Sequence, residues 1–198
     1  TGGGKSICFQ VPALMKEGTC IVITPLIALM KDQVSNLKKS KIKAAAIYTG
    51  MHRDEMESIY SNAIAGNLKL LYMSPERLLT PVAQDVISRM KVSLLTIDEA
   101  HCISQWGYDF RPPYLKIAEI RPIIPNIPVL ALTATATQTV VTDIMEKLSL
   151  RKPNLLKTSF ERRNLSYNVL NEFDKTGFLI RKLKDDNNTV IIYVRNRR

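Results

Sequence analysis

The run Val92-Ser93-Leu94-Leu95-Thr96-Ile97, followed by Asp98-Glu99, constrains the fold more than any other stretch. Six uncharged, mostly branched residues read as a strand buried on both faces, the habit of parallel sheets. Carboxylates at the end of such a strand sit where open α/β sheets bind ligands. Asp98 can hold a magnesium ion there, directly or through water, and Glu99 can polarise an attacking water. The residues that follow suit another task. Trp106 and Phe110 offer faces for stacking on bases, and Arg111 can pair with a phosphate or stack. Ser104, Gln105, Gly107, Asp109 and Pro112 surround them and disfavour a strand or helix, so both aromatics are expected on a loop.

Thr1-Gly2-Gly3-Gly4-Lys5-Ser6 has the spacing of the back half of a phosphate-binding P-loop. Glycines let backbone N–H groups wrap a phosphate without a Cβ clash. Thr1, Gly2, Gly3 and Gly4 would form the cradle. Lys5 would reach the phosphates, Ser6 would give its hydroxyl to magnesium, and the helix beginning here would add the positive end of its dipole. The front of the loop and the strand that feeds it are expected before Thr1.

The rest of the chain alternates strand and helix, which favours a parallel sheet covered on both faces. Strands are predicted at 20–24, 44–48, 68–73, 92–97 and 128–132. Helices are predicted at 25–38, 54–65 (closed by Gly66), 81–90 and 138–148. Pro12, two turns into the first helix, should kink or end it. After a boundary near 151–154, a strand at 165–170, a helix at 176–184 and a strand at 189–194 read as the opening βαβ of a second domain.

Charge adds a partner class. The chain carries 28 basic and 18 acidic side chains, a net +10. The excess is uneven: residues 151–198 hold 12 basic and 5 acidic groups. Such a chain suits a polyanion, although surface lysines are also commonly just solvated. No apolar run approaches the ~20 residues that cross a membrane. Cys8, Cys20 and Cys102 form no Cys-x-x-Cys pair, which argues against a disulfide scaffold or zinc site and fits a reducing compartment.

Taken together, these segments resemble the RecQ family of superfamily 2 DNA helicases. Residues 1–6 look like its motif I and Pro25 to Val34, including Lys31, like motif Ia. Tyr72 to Leu78, including Ser74 and Arg77, resemble motif Ib. Asp98-Glu99-Ala100-His101 looks like motif II, and Ser104 to Pro112 like the aromatic-rich loop that singles the family out. Ala131 to Thr137 resemble motif III, Ser159 to Asn164 the bridge to a second domain, and Val190 to Tyr193 the start of motif IV. Tyr108 stands where family members often have histidine.

The resemblance implies an α/β fold of the P-loop NTPase kind. A first RecA-like domain over 1–152, a parallel sheet with helices on both faces, would precede the incomplete start of a second over 153–198. It implies an ATP-driven, magnesium-dependent motor that separates DNA strands with three-prime to five-prime polarity, in the cytoplasm at a bacterial nucleoid or in a nucleus. Single-stranded and partly duplex DNA and the remainder of a helicase chain are the implied partners. Lys5, Asp98, Glu99, His101 and Gln105 would be catalytic, and Ser6 and Asp98 would hold the metal. Pro25, Lys31, Ser74, Arg77, Trp106, Phe110, Arg111, Thr133 and Thr135 would contact DNA or couple it to hydrolysis. The helix starts at Pro25 and Ser74-Pro75 suit phosphate contacts. The arginine finger, the adenine-reading segment and the C-terminal modules are expected outside this chain, which alone should be nearly inactive. Other readings are another superfamily 2 motor, acting on RNA or translocating on duplex, and a non-catalytic DNA-binding platform.

Overall fold

The structure is a computed structural model describing residues 4–107, 109–157, 164–185 and 189–194. Thr1, Gly2, Gly3, Tyr108 and the segment 158–163 lie outside the described residues, as do 186–188 and 195–198. The chain divides into two compact units, one ending at Asn154 and the other beginning at Leu155.

The first unit is built on five parallel strands: β1 (Thr19–Ile23), β2 (Ala44–Ile47), β3 (Leu70–Met73), β4 (Val92–Ile97) and β5 (Val129–Ala131). Their order is β2-β3-β1-β4-β5. Strand periodicity sorts each strand between two cores. Cys20 and Val22 face one side with Leu70, Tyr72 and Leu94, and α1 (Lys5–Met15) and α2 (Ile27–Lys39) cover it through Phe9, Ala13, Met30, Val34 and Leu37. Ile21, Ile23, Leu71, Met73, Leu95 and Ile97 face the other side. There α3 (Arg53–Ile64), α5 (Pro81–Arg89) and α6 (Gln138–Lys147) supply Tyr60, Ala63, Val86, Ile87, Val140 and Ile144. The four-residue α4 (Pro75–Leu78) lies between β3 and α5. Burial on both faces is why these strands read as continuous apolar runs rather than alternating ones.

The strand order makes a switch point. The chain leaves β1 toward β2 on one side and leaves β4 toward β5 on the other, while β1 and β4 are neighbours. Their carboxyl ends therefore open a crevice, the general ligand position of such sheets.

The structure bears on two expectations. Helix α1 does not end at Pro12 but continues to Met15, and the Lys16 N–H still donates to the Pro12 carbonyl at 3.1 Å. An internal proline costs about 3 kcal/mol. Burying Phe9 and Ala13 against the sheet offsets it, since a fully buried large side chain contributes roughly 1.5–3 kcal/mol. In the second unit, α7 (Lys175–Asp185) matches the predicted helix, but 165–170 and 189–194 are not strands. A strand exists only through a partner's ladder of hydrogen bonds, and the described residues supply none there. Tyr167, Val169, Phe173, Ile191 and Tyr193 are accordingly exposed.

Candidate active site

The first element of the candidate site is set by backbone shape. Gly4 caps α1 at φ 70°, ψ 23°, a left-handed conformation that glycine takes without strain, and turns the chain into the helix carrying Lys5 and Ser6. At the far side of the crevice, β4 ends and Glu99 adopts φ 48°. A side chain bearing Cβ holds that conformation at a cost of order 1 kcal/mol or more, so the surrounding contacts over-determine it. The gain is placement. Glu99 Oε1 meets Lys5 Nζ at 2.6 Å, with both side chains about a quarter exposed.

From this pair a chain of polar contacts runs outward. Glu99 Oε2 lies 3.3 Å from His101 Nδ1, and His101 Nδ1 lies 2.9 Å from Thr133 Oγ1. The Thr133 hydroxyl donates to the Thr135 carbonyl at 3.1 Å. His101 is buried in the 3₁₀ turn Ala100–Ile103, and Thr133 follows β5. The sequence-predicted residues Lys5, Glu99, His101, Thr133 and Thr135 thus form one connected path.

Asp98 is buried beside it. Its N–H donates to the Ile23 carbonyl, and its Oδ1 accepts the Glu99 N–H at 3.0 Å. Its Oδ2 meets no protein donor among the described hydrogen bonds. Burial pushes its carboxyl above the ordinary range against the opposing pull of Lys5, while the Glu99 charge raises it further. A desolvated carboxylate with an unclaimed oxygen suits a hard divalent cation. No group of three or more His, Cys, Asp or Glu that could cage a metal occurs among the described residues. Magnesium is commonly held by one or two carboxylates plus substrate phosphates and waters. Asp98 and the Ser6 hydroxyl are the donors that would hold it.

Residues 104–107 and 109–111 fold over the 3₁₀ turn. Ser104 is fully buried; its hydroxyl donates to Asp143 on α6 and accepts the Trp106 N–H at 3.2 Å. A Cβ on Gly107 would lie 2.3 Å from the His101 carbonyl oxygen, so only glycine lets the loop pass this close. Arg111 pairs with Asp109 at 2.9 Å and donates to the Pro25 carbonyl at 3.2 Å. Tyr114, at the start of the 3₁₀ stretch Pro112–Ile120, donates to the Asp98 carbonyl at 3.0 Å. Loop, β4 end and β1 end are therefore one hydrogen-bonded body. Trp106 projects from it, 76% exposed, which settles it as a surface aromatic; Phe110 is half-buried. Gln105 is exposed and makes no side-chain hydrogen bond among those described.

The other predicted contacts divide. Pro25 is half-buried at the end of β1, and Lys31 is exposed on α2 with its ammonium 4.8 Å from the Tyr48 ring centroid. Ser74 is buried and Arg77 half-buried; among the described residues, neither the Ser74 hydroxyl nor the Arg77 Nε finds a hydrogen-bond partner. Sequence reasoning missed Gln33, Tyr72, Tyr114 and Asp143. Gln33 carried a readable signal: it is a polar residue between Met30 and Leu37 on the helix face turned to the sheet.

A parallel sheet with a glycine-capped Lys-Ser helix and an acidic strand end meeting in its switch-point crevice defines a RecA-like P-loop fold. A family model described as DEAD/DEAH box helicase matches residues 1–144. The chain belongs to the DEAD/DEAH box helicase family. It is similar over its whole length to the ATP-dependent DNA helicase RecQ of Pasteurella multocida, at 42% identity over 31% of that protein. The RecQ helicase of Bacillus subtilis is 44% identical, with 34% of it covered. The ATP-dependent helicase SGS1 of Saccharomyces cerevisiae is 41% identical, with 14% covered. The chain thus spans about a third of the length of the bacterial relatives, or less in the yeast one. Among solved structures, the Pyrococcus furiosus Hef helicase domain superposes with a TM-score of 0.56 at 23% identity, covering 76% of this chain and 32% of that one. A hypothetical ATP-dependent RNA helicase from Sulfolobus tokodaii gives 0.55 at 22%, covering 75% and 44%. These two likenesses concern the fold. No described helix is long and apolar enough to cross a membrane.

Proposed function

We propose that this chain is the ATP-hydrolysing core of a RecQ-type DNA helicase, coupling nucleotide hydrolysis to movement along single-stranded DNA and duplex opening, with three-prime to five-prime polarity. The observation that carries the reading is the Lys5–Glu99 contact in the switch-point crevice, joined by backbone and side-chain bonds to the loop bearing the exposed Trp106. Nucleotide site and base-stacking surface are parts of one rigid connection.

In this reading the backbone before Lys5 and the Lys5 ammonium bind the phosphates of ATP. A phosphate competes with Glu99 for Lys5, and its binding releases Glu99 to accept a proton from water. Ser6 and Asp98 would hold magnesium, which would supply charge neutralisation at the phosphates. His101 keeps Glu99 oriented and passes its position to Thr133 and Thr135. Gln105, Trp106, Phe110 and Arg111 report DNA contact to the same centre, and Pro25, Lys31, Ser74 and Arg77 line the strand's path. A second RecA-like domain, beginning near residue 153, supplies the arginine that stabilises the transferring phosphate, an effect worth roughly 10³–10⁵ in rate in related enzymes. The protein acts where DNA is handled, at a nucleoid or in a nucleus.

The test is ATP hydrolysis by the full-length protein with and without single-stranded DNA, for the parent and Trp106→Ala. The reading expects strong stimulation of the parent and only the basal rate in the variant. Trp106 is exposed, so its melting temperature should stay within about 2 °C, as for surface substitutions generally. An intact protein indifferent to DNA sinks the helicase reading; stimulation by RNA alone points to the RNA-acting branch.

A further inference from the structure

Behind Ser6 lies a side-chain network that the proposed chemistry does not use. Gln33 Nε2 on α2 donates to Ser6 Oγ at 2.7 Å. Gln33 Oε1 accepts from Gln10 Nε2 on α1 at 3.0 Å and from the Tyr72 hydroxyl on β3 at 3.3 Å. Three elements therefore converge on one amide. Ser6 and Gln10 stand four residues apart, on one face of α1. Both acceptor directions of Gln33 Oε1 are occupied, which fixes the amide plane and leaves Nε2 aimed at Ser6. The Tyr72 ring is buried, and desolvation keeps its hydroxyl protonated as a donor.

We propose that Gln33 is a positioning residue for the metal-ligating hydroxyl of Ser6, and that it ties that hydroxyl to the strand-contacting end of α2. With its Oγ accepting from Gln33, Ser6 keeps one lone pair for a cation and turns its own hydrogen elsewhere. Outer partners of this kind orient ligands and commonly tune metal affinity 10–100-fold. The link to the far end of α2 is physical. Gln33 lies two turns from the helix start, where the neighbouring Pro25 carbonyl accepts from Arg111 of the aromatic loop. A shift of α2 that follows the loop moves Gln33 and with it the Ser6 hydroxyl.

The inference rests on the reading of Ser6 as a ligand for magnesium bound with nucleotide, and the experiment separates the two. ADP binding to the full-length protein is measured calorimetrically with magnesium and in EDTA, for the parent, Gln33→Met, Ser6→Ala and the double variant. Methionine keeps the length and fills the space without an amide. In the parent, magnesium should tighten ADP binding. Gln33→Met should remove about tenfold of that gain, the lower end of the outer-shell range, and leave affinity in EDTA within about twofold. In the Ser6→Ala background the same change should cost nothing further, because the two residues act as one unit. A parent indifferent to magnesium overturns the underlying site assignment. A parent that responds while Gln33→Met responds equally, or loses affinity alike in both conditions, overturns the role given to Gln33.

Discussion

Glu99 carries two burdens at once: a left-handed backbone and a carboxylate shared between Lys5 and His101. The conformation is informative because a residue with a Cβ rarely occupies it unless neighbours compel it. Here the Ala100 N–H donates to the Leu132 carbonyl at 2.9 Å, and the Tyr114 hydroxyl holds the Asp98 carbonyl just before it. The turn is pinned on both sides, and the carboxylate is delivered to the crevice. Glu99→Gln preserves size but removes the proposed base. Hydrolysis by the full-length protein should fall by about 10²–10⁴, the usual share of a general base. ADP affinity should hold or improve, because Lys5 loses a competing anion. Single-turnover hydrolysis beside calorimetric binding checks both. A variant that hydrolyses at the parent rate removes Glu99 from the mechanism.

At the scale of elements, the loop that carries Trp106 is tied to α6 by one cluster of polar side chains. Asp143 on α6 takes the Ser104 hydroxyl and lies 3.2 Å from Lys147. The Ser104 hydrogen bond holds its carboxyl below the ordinary range, and Lys147 adds to this. A depressed carboxylate contributes stability that is complete above its unfolded pKa and is lost as pH falls through the folded one. The tie should therefore survive acid that already protonates ordinary aspartates. Trp106 is the single tryptophan, so its fluorescence reports the loop directly. The emission change linked to Asp143 should fall below the usual carboxylate range, with its midpoint moving up in Lys147→Ala. A midpoint at the ordinary value, unmoved by that substitution, would show that the cluster does not anchor the loop. The elements around this loop differ in how legible they were. Strands β1, β3 and β4 could be read because burial on both faces leaves uninterrupted apolar runs. The Lys5-Ser6 and Asp98-Glu99 pairs stood out as candidates because phosphate and metal chemistry would demand those residue types, and the structure brings Lys5 and Glu99 together. The 3₁₀ stretch Pro112–Ile120 could not, nor could the bond by which its Tyr114 reaches back to the Asp98 carbonyl. Nor could the Gln33–Ser6 contact be read, which joins residues 27 positions apart. The need for glycine at 107 was equally hidden, because it arises from a carbonyl six residues earlier.

For the whole molecule, the two units differ in what they can bury. The first encloses two cores on either side of its sheet, with β4 inside and β1 at the centre. In the second, α7 is formed, but the flanking segments keep their apolar side chains in solvent, Val169 at 98% and Phe173 at 99%. The sequence pattern there is that of strands, and the obstacle is physical. Two strands and one helix offer too few neighbours to bury both faces of a parallel pair, and three or more strands or a covering layer are needed. Amide hydrogen exchange reads this directly. In the 198-residue chain, amides of 94–97 should be among the slowest, since they lie in a ladder with strands on both sides. Amides of 165–170 and 189–194 should exchange near the rate of an unstructured peptide. In the full-length protein both segments should gain protection together, as one cooperative unit, if they open the second RecA-like domain proposed above. Strong protection of 165–170 in the short chain would mean that the βαβ closes on its own and that the exposed apolar surface has been misread. Protection absent even at full length would remove these segments from any sheet and move the start of the second domain beyond residue 194.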